Sequence, residues 1–312
     1  MQFPFQIDPS KEFDCVGFGT NAVDFLIRVP HYPAFNSKVE LSGYTRAAGG
    51  EIATTMAGLT RLGLKTAYVG RFGDDDPGEI GRRSLTDEGV DITFSETITD
   101  TRTQIAFIII DERNGERTVI WERESNLAYS ASDAPVEIAT RCKVLHFTPH
   151  DTDACLEMAK AARSAGAIVS TDIDNVFDGI ELLLPYIDIL IASSDFPEKL
   201  TSIADRREAL IEIHRKYGCA VTGVTLGEAG SLLYCEGEFI ESKGFEVPGG
   251  CKDTTGAGDS FRVGLLYGLL TGQSVEESAR AANAVAALKC RAVGARTSLP
   301  DAGELDMFLK KV

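Results

Sequence analysis

The chain is expected to fold as an open, mostly parallel α/β sheet with helices on both faces, on three grounds. Short β-rich runs recur at Cys15 to Gly19, Thr66 to Gly70, Val144 to Phe147, Ile168 to Asp172, Ile187 to Ala192 and Ala220 to Leu226, with helical stretches between them. This is the rhythm of parallel βαβ units. The helices have readable ends: Gly63 follows the first, Gly166 closes Ala154 to Ala165, and Ser274 with Glu277 makes a capping box before Ser278 to Lys289. Finally, 312 residues at 44% hydrophobic and 25% charged can bury one large core. No repeat, low-complexity tract or Pro/Ser-rich linker divides the chain, so residues 1–312 are read as one domain.

Two stretches break the rhythm. Lys38 to Ala47 and Thr103 to Trp121 read as strands without helices to cover both faces, the second a hairpin turning at Glu112-Arg113-Asn114-Gly115. They are insertions at about 38–47 and 103–121.

A formal net charge of −16, with no dense Lys/Arg cluster, makes nucleic acid and anionic membrane surfaces poor partners. The seven scattered cysteines show no Cys-x-x-Cys pair or zinc-like spacing, which suits reduced thiols and a cytoplasmic setting. Met1 to Asp14 lacks the basic and apolar regions of a secretory signal, and no apolar run approaches a membrane span.

Chemistry concentrates in Asp253-Thr254-Thr255-Gly256-Ala257-Gly258-Asp259-Ser260-Phe261, which passes from a small-residue loop into the apolar helix Phe261 to Leu270. The amides of Gly256, Ala257 and Gly258 can converge on a phosphate at a helix N-terminus. Asp259 either caps that helix or stands where a substrate hydroxyl loses its proton. Gly17-Phe18-Gly19-Thr20-Asn21-Ala22 fits a relaxed dinucleotide pattern, but the β-rich Val23 to Pro30 follows it where a helix is required. The phosphate-binding pattern Gly-x-x-x-x-Gly-Lys-Ser/Thr is absent.

The Asp253–Phe261 string, with Val221 to Leu226 and Gly227-Glu228-Ala229-Gly230 upstream, resembles the nucleotide signature of the ribokinase (phosphofructokinase-B type) family of carbohydrate and nucleoside kinases. Gly49-Gly50 and the helical segment ending Leu59-Thr60-Arg61-Leu62-Gly63 resemble its sugar-side motif, and Gly19 to Asp24 its first strand and substrate aspartate. The resemblance spans about Asp14 to Pro300. It implies a ribokinase-like sheet whose two inserted stretches form a small β lid over the sugar, a surface also used for dimerisation. It implies Asp259 as base with Gly256, Ala257 and Gly258 as anion hole, and Asp24, Gly49, Gly50 and Thr54 at the sugar. Thr225, Gly227, Gly230, Thr255 and Asn283 fall at the nucleotide. ATP and Mg2+ are the implied cofactors, with room for a monovalent cation, and a homodimer through the lid is the implied assembly.

Two departures matter. Thr54 stands where many members have asparagine, and Ser193-Ser194-Asp195-Phe196 replaces the Asn-x-x-Glu that organises magnesium, leaving Asp253, Asp195 or water for that task. Together with Val169-Ser170-Thr171-Asp172-Ile173-Asp174 and Lys289-Cys290, they resemble the ketohexokinase and sulfofructose kinase branch. The expected activity is phosphoryl transfer from ATP to a small sugar, a ketose such as fructose. A nucleoside kinase is the alternative within the family; outside it stand an oxidoreductase and a catalytically silent sugar-binding protein.

Overall fold

The computed structural model describes residues 1–311. Its strands are β1 (Phe13–Phe18), β2 (Ala22–Val29), β3 (Gly43–Gly49), β4 (Thr66–Val69), β5 (Arg71–Gly73), β6 (Glu96–Ile98) and β7 (Ile105–Asp111). There follow β8 (Arg117–Glu122), β9 (Cys142–Phe147), β10 (Ile168–Ile173), β11 (Ile189–Ala192), β12 (Val221–Thr225), β13 (Ser231–Cys235) and β14 (Glu238–Ser242). Eight of these form one sheet in the order β14-β13-β12-β11-β10-β9-β1-β4. Every pairing from β4 across to β12 is parallel, and all six runs read from the sequence are among these strands.

Helices cover both faces, which is why strands such as β4 and β11 are buried along their whole length. One buried cluster includes Cys155, Met158, Leu210 and Ile213 from the helices Thr152–Ser164 and Arg206–Tyr217. The other includes Ile52, Met56, Phe261, Leu265 and Val285, from the helices Glu51–Arg61, Ala257–Leu270 and Val275–Lys289. The Ser274–Glu277 capping box forms as expected. None of the described helices is long and apolar enough to cross a membrane.

The edge hairpin β13–β14 was not anticipated. Its signal was the turn Glu236-Gly237, where both residues have positive φ (48° and 87°), as a two-residue hairpin requires.

The inserted strands build a second sheet, β3-β2-β7-β8, in which β2 pairs parallel to β7 while β3 and β8 run antiparallel to their neighbours. The first of them begins at Gly43 rather than Lys38 and continues to Gly49. Its register with β2 ends at Arg28↔Gly43, and β2 stops at Val29 before Pro30, so earlier residues have no strand to pair with. Since Ala22–Val29 is a strand, the dinucleotide reading loses the helix it needs.

The helix carrying Asp259 lies against Val275–Lys289 at Gly264, where a Cβ would run into the Ala282 backbone. Backbone cannot yield as a flexible side chain can. Gly264→Ala is therefore expected to destabilise the fold by about 1–3 kcal/mol in urea unfolding despite alanine's better helix propensity. A gain in stability would mean that the two helices separate easily.

Candidate active site

The site lies along the carboxyl ends of the parallel strands, the usual ligand crevice of an open α/β sheet. On one side, Asp253 is fully buried and bends the chain back on itself, its Oδ1 accepting from Thr255 N–H at 2.8 Å and its Oδ2 from Gly294 N–H at 2.7 Å. Gly256 follows in the left-handed region (φ 77°), where a Cβ would stand 2.8 Å from Ala295 Cβ. The helix then begins at Ala257 with no side-chain cap, and Asp259 occupies its third position. The capping role that the sequence left open for Asp259 is thus not taken up. Thr255 Oγ1 is buried without a partner, which suits a loop made to receive an oxyanion.

Opposite, Asp24 on β2 is 4% exposed and faces Gly49, where any Cβ would collide with its carboxylate. Gly50 (φ 85°) opens the helix Glu51–Arg61, a Cβ there meeting Asn21 Cα at 2.5 Å. Both glycines are therefore required by the approach of the lid strand. Thr54 is fully buried and its Oγ1 accepts from Arg296 Nε at 3.3 Å, so Arg296 engages the hydroxyl expected to face a sugar. Arg296 also donates to Gly49 O and, at 2.8 Å, to Ser84 Oγ.

Between these two sides gathers a charged group. Asp172 at the end of β10 pairs with Arg262 at 2.5 Å, and Glu51 stands 3.3 Å from His150 Nε2. Burial opposes both charges of the second pair, yet their mutual attraction prevails: the imidazole pKa is raised and that of the carboxylate lowered. For Asp259, burial and the neighbouring carboxylates of Asp172 and Glu51 push the pKa well above the usual range, against the pull of Arg262 and Arg117. Sequence patterns flagged neither Glu51, His150, Arg262 nor Arg296. Only Glu51 offered a signal, as the residue following the Gly49-Gly50 pair.

The nucleotide-side expectations divide. Thr225 ends β12 and Gly227 (φ 59°) has open space beside it. Gly230 (φ 103°) packs against Ser242 O and Gly244 N, where no side chain fits. Asn283 is turned inward, its amide donating to Ser231 Oγ, Ser242 O and Ala279 O at 3.1–3.2 Å, and so pins the edge hairpin to the helix. The lid reaches this side as well, because Gly115 O at the hairpin tip accepts from Thr254 N–H and Oγ1, each at 3.1 Å.

Among the described residues, no three His, Cys, Asp or Glu side chains gather as a metal cage. Asp195 is held by Lys199 Nζ at 2.5 Å and Ser193 Oγ at 2.8 Å, and both oxygens of Asp253 are engaged. The positive charge buried beside Asp253 is the Lys289 ammonium, which donates to Asp253 O at 2.7 Å and lies 4.0 Å from Oδ2. The side chains present do not fit a metal centre built by the protein.

The family model for pfkB family carbohydrate kinases matches residues 14–302. A nucleoside kinase from Methanothermobacter thermautotrophicus is 26% identical, covering 95% of this chain and 95% of its own. A fructokinase from Escherichia coli is 31% identical, covering 83% of this chain and 90% of its own. The ribokinase of Arabidopsis thaliana, solved in complex with ribose and ATP, superposes with a TM-score of 0.80 at 25% identity, over 96% of this chain and 99% of that one.

Burial lifts the Asp24 carboxyl to about 7, with Arg296 pulling the other way. A carboxyl whose folded pKa exceeds its unfolded value binds more protons in the native state between roughly pH 4 and 7, so stability falls as pH rises through that window and levels off above it. Asp24→Asn is expected to soften that decline, its Tm dropping less than wild type between about pH 5 and pH 8 in calorimetry. Equal slopes would mean that Asp24 is solvated.

Proposed function

The chain belongs to the pfkB family of carbohydrate kinases, phosphotransferases with an alcohol group as acceptor, and on that premise we propose that it transfers the γ-phosphoryl group of ATP to a hydroxyl of a small sugar. The observation that carries this reading is Asp259. It stands in the first turn of a helix that has no side-chain cap and is entered through an oxyanion-ready loop, and burial together with Asp172 and Glu51 raises its pKa. A carboxylate raised above the ordinary range is a stronger base towards a hydroxyl proton. The Gly256, Ala257 and Gly258 amides stabilise charge on the transferring group, while Asp24 and the Gly49-Gly50 turn hold the acceptor. Thr225, Gly227 and Thr255 border the nucleotide.

Magnesium enters this reading as the partner of the nucleotide phosphates, whose charge it neutralises when bound. A ketose such as fructose is the leading acceptor, supported by the likeness to the Escherichia coli fructokinase. A nucleoside acceptor is the second reading, supported by the archaeal nucleoside kinase that matches almost the whole chain. The seven free thiols accord with a cytoplasmic setting.

The second sheet acts here as a lid. Its inner face brings Asp24 and Trp121 towards the cleft, and its outer face places Phe25 beside Phe107, and Phe107 beside Ile120, in register. Tyr44 stacks on Phe25, so an apolar strip crosses the sheet. Such a strip on a sheet without covering helices is suited to a second copy of the chain. Phe107→Asp should convert a dimer into monomers in sedimentation velocity, and a wild-type monomer would end the proposal.

Asp259→Asn removes the base and one member of a repelling carboxylate group, so the fold should stay intact and Tm should hold or rise. Turnover in a coupled ATP assay over a panel of sugars and nucleosides should fall about 10²–10⁴-fold in kcat, with acceptor affinity changed far less. A kcat within about threefold of wild type, with chemistry limiting the rate, would sink this mechanism.

A further inference from the structure

The wall of the cleft beside Asp259 carries polar atoms that no motif assigns and whose hydrogen-bonding capacity the protein leaves partly unused. Glu51 Oε2 is buried without a well-oriented hydrogen bond, even with His150 Nε2 3.3 Å away. Thr148, just past β9, is 4% exposed, and its Oγ1 lies near the Glu51 carboxylate without a well-oriented hydrogen bond. Arg262, 3% exposed, gives Nη2 to Asp172 Oδ1 at 2.5 Å and to Ile191 O at 2.9 Å, and its Nε has no acceptor. The set therefore comprises an acceptor, a hydroxyl that can act both ways, and a donor. Buried polar atoms are costly unless satisfied, and the hydroxyls of a polyol offer the complementary donors and acceptors. Beside them, Trp121 from the lid meets His150 edge-on at 6.0 Å, and His150 meets Phe177 at 5.1 Å. Such ring surfaces suit the C–H face of a carbohydrate.

Charge narrows the class of acceptor. Glu51, Asp172, Asp174 and Asp259 influence one another's ionisation, and the cations among them, Arg262 and His150, are already matched to Asp172 and Glu51. Of the nearby arginines, Arg123 is held by both oxygens of Asp151 at 2.8 Å, and Arg117 bonds Thr254 on the phosphate side. A phosphate or carboxylate on the acceptor would add charge beside Asp174 and Asp259, which no ion pair matches among the described residues, and, with Arg296 already turned to Gly49 O, Ser84 and Thr54, it would further disfavour the ionised base.

We propose that Glu51, backed by His150 and Thr148, is a specificity-determining residue that restricts the acceptor to uncharged polyhydroxy compounds and excludes their phosphate monoesters. This rests on the kinase reading only in taking the cleft as the acceptor side.

The test pairs isothermal titration, which needs no turnover, with the coupled assay. The probes are D-fructose, D-tagatose, D-ribose and D-glucose and the terminal phosphate monoester of each. At least one free sugar should bind, its monoester binding about 100-fold more weakly or not at all. Glu51→Gln should weaken that sugar about tenfold in Kd by titration and in KM, and should move the acid limb of the kcat profile to lower pH because one carboxylate that raises Asp259 is gone. Glu51→Lys, checked for native circular dichroism, should narrow the discrimination against the monoester.

Equal or tighter binding of the monoester, an unchanged KM in Glu51→Gln, or no binding by any free sugar would overturn the proposal. Preferential binding of a free sugar without turnover would remove the kinase reading and leave this one standing. Turnover with the monoester preferred would do the reverse.

Discussion

Asp253 is fully buried, and each of its oxygens accepts a backbone N–H from a different part of the chain, Thr255 on one side and Gly294 on the other. The first bond shapes the loop that ends at Gly256. The second brings the segment after the helix Val275–Lys289 under that loop, where Ala295 backs Gly256 and the next residue, Arg296, reaches across to Gly49 O and Thr54. One buried anion thus fixes both the phosphate side and the acceptor side of the cleft. Lys289, itself without solvent exposure, supplies the neighbouring positive charge. Removing either charge would strand the other, a loss of about 3–5 kcal/mol for buried pairs.

The parallel sheet was legible because its strands are buried on both faces and appear as compact β-rich runs, with helix ends marked by Gly166 and by the Ser274–Glu277 box. The glycine pairs were equally legible, since a backbone that must approach another backbone leaves glycine as its trace, as at Gly49 and Gly50. The Glu51–His150 and Asp172–Arg262 pairs left no such trace. Their members lie 99 and 90 residues apart in the chain and meet only because β9 and β10 end beside the helices that carry their partners. Asn283 shows a complementary limit. Its place in a helix signals a site for a polar side chain, but periodicity alone does not say that this face turns inward to hold the edge hairpin.

A strongly acidic chain that handles anionic substrates must solve an electrostatic problem locally. On the phosphate side the answer is neutral dipoles, namely amides at a helix start with the Thr255 hydroxyl beside them. On the acceptor side, burial raises the pKa of the Asp24, Asp172 and Asp259 carboxyls together. On the kinase reading, the two halves of one cleft thereby offer different chemistry to a phosphate-bearing donor and a hydroxyl-bearing acceptor.

The tip of the inserted hairpin touches the loop before Gly256 through Gly115 O, while the base of the same sheet carries Asp24, the proposed acceptor residue. One sheet therefore reaches both proposed binding sites. If the sheet shifts when either compound arrives, the free energy of that shift is shared, and by thermodynamic reciprocity each compound must alter the affinity of the other by the same factor. The order in which they add then becomes a property of the hairpin, and residues around Gly115 would govern synergy between substrates without touching a sugar.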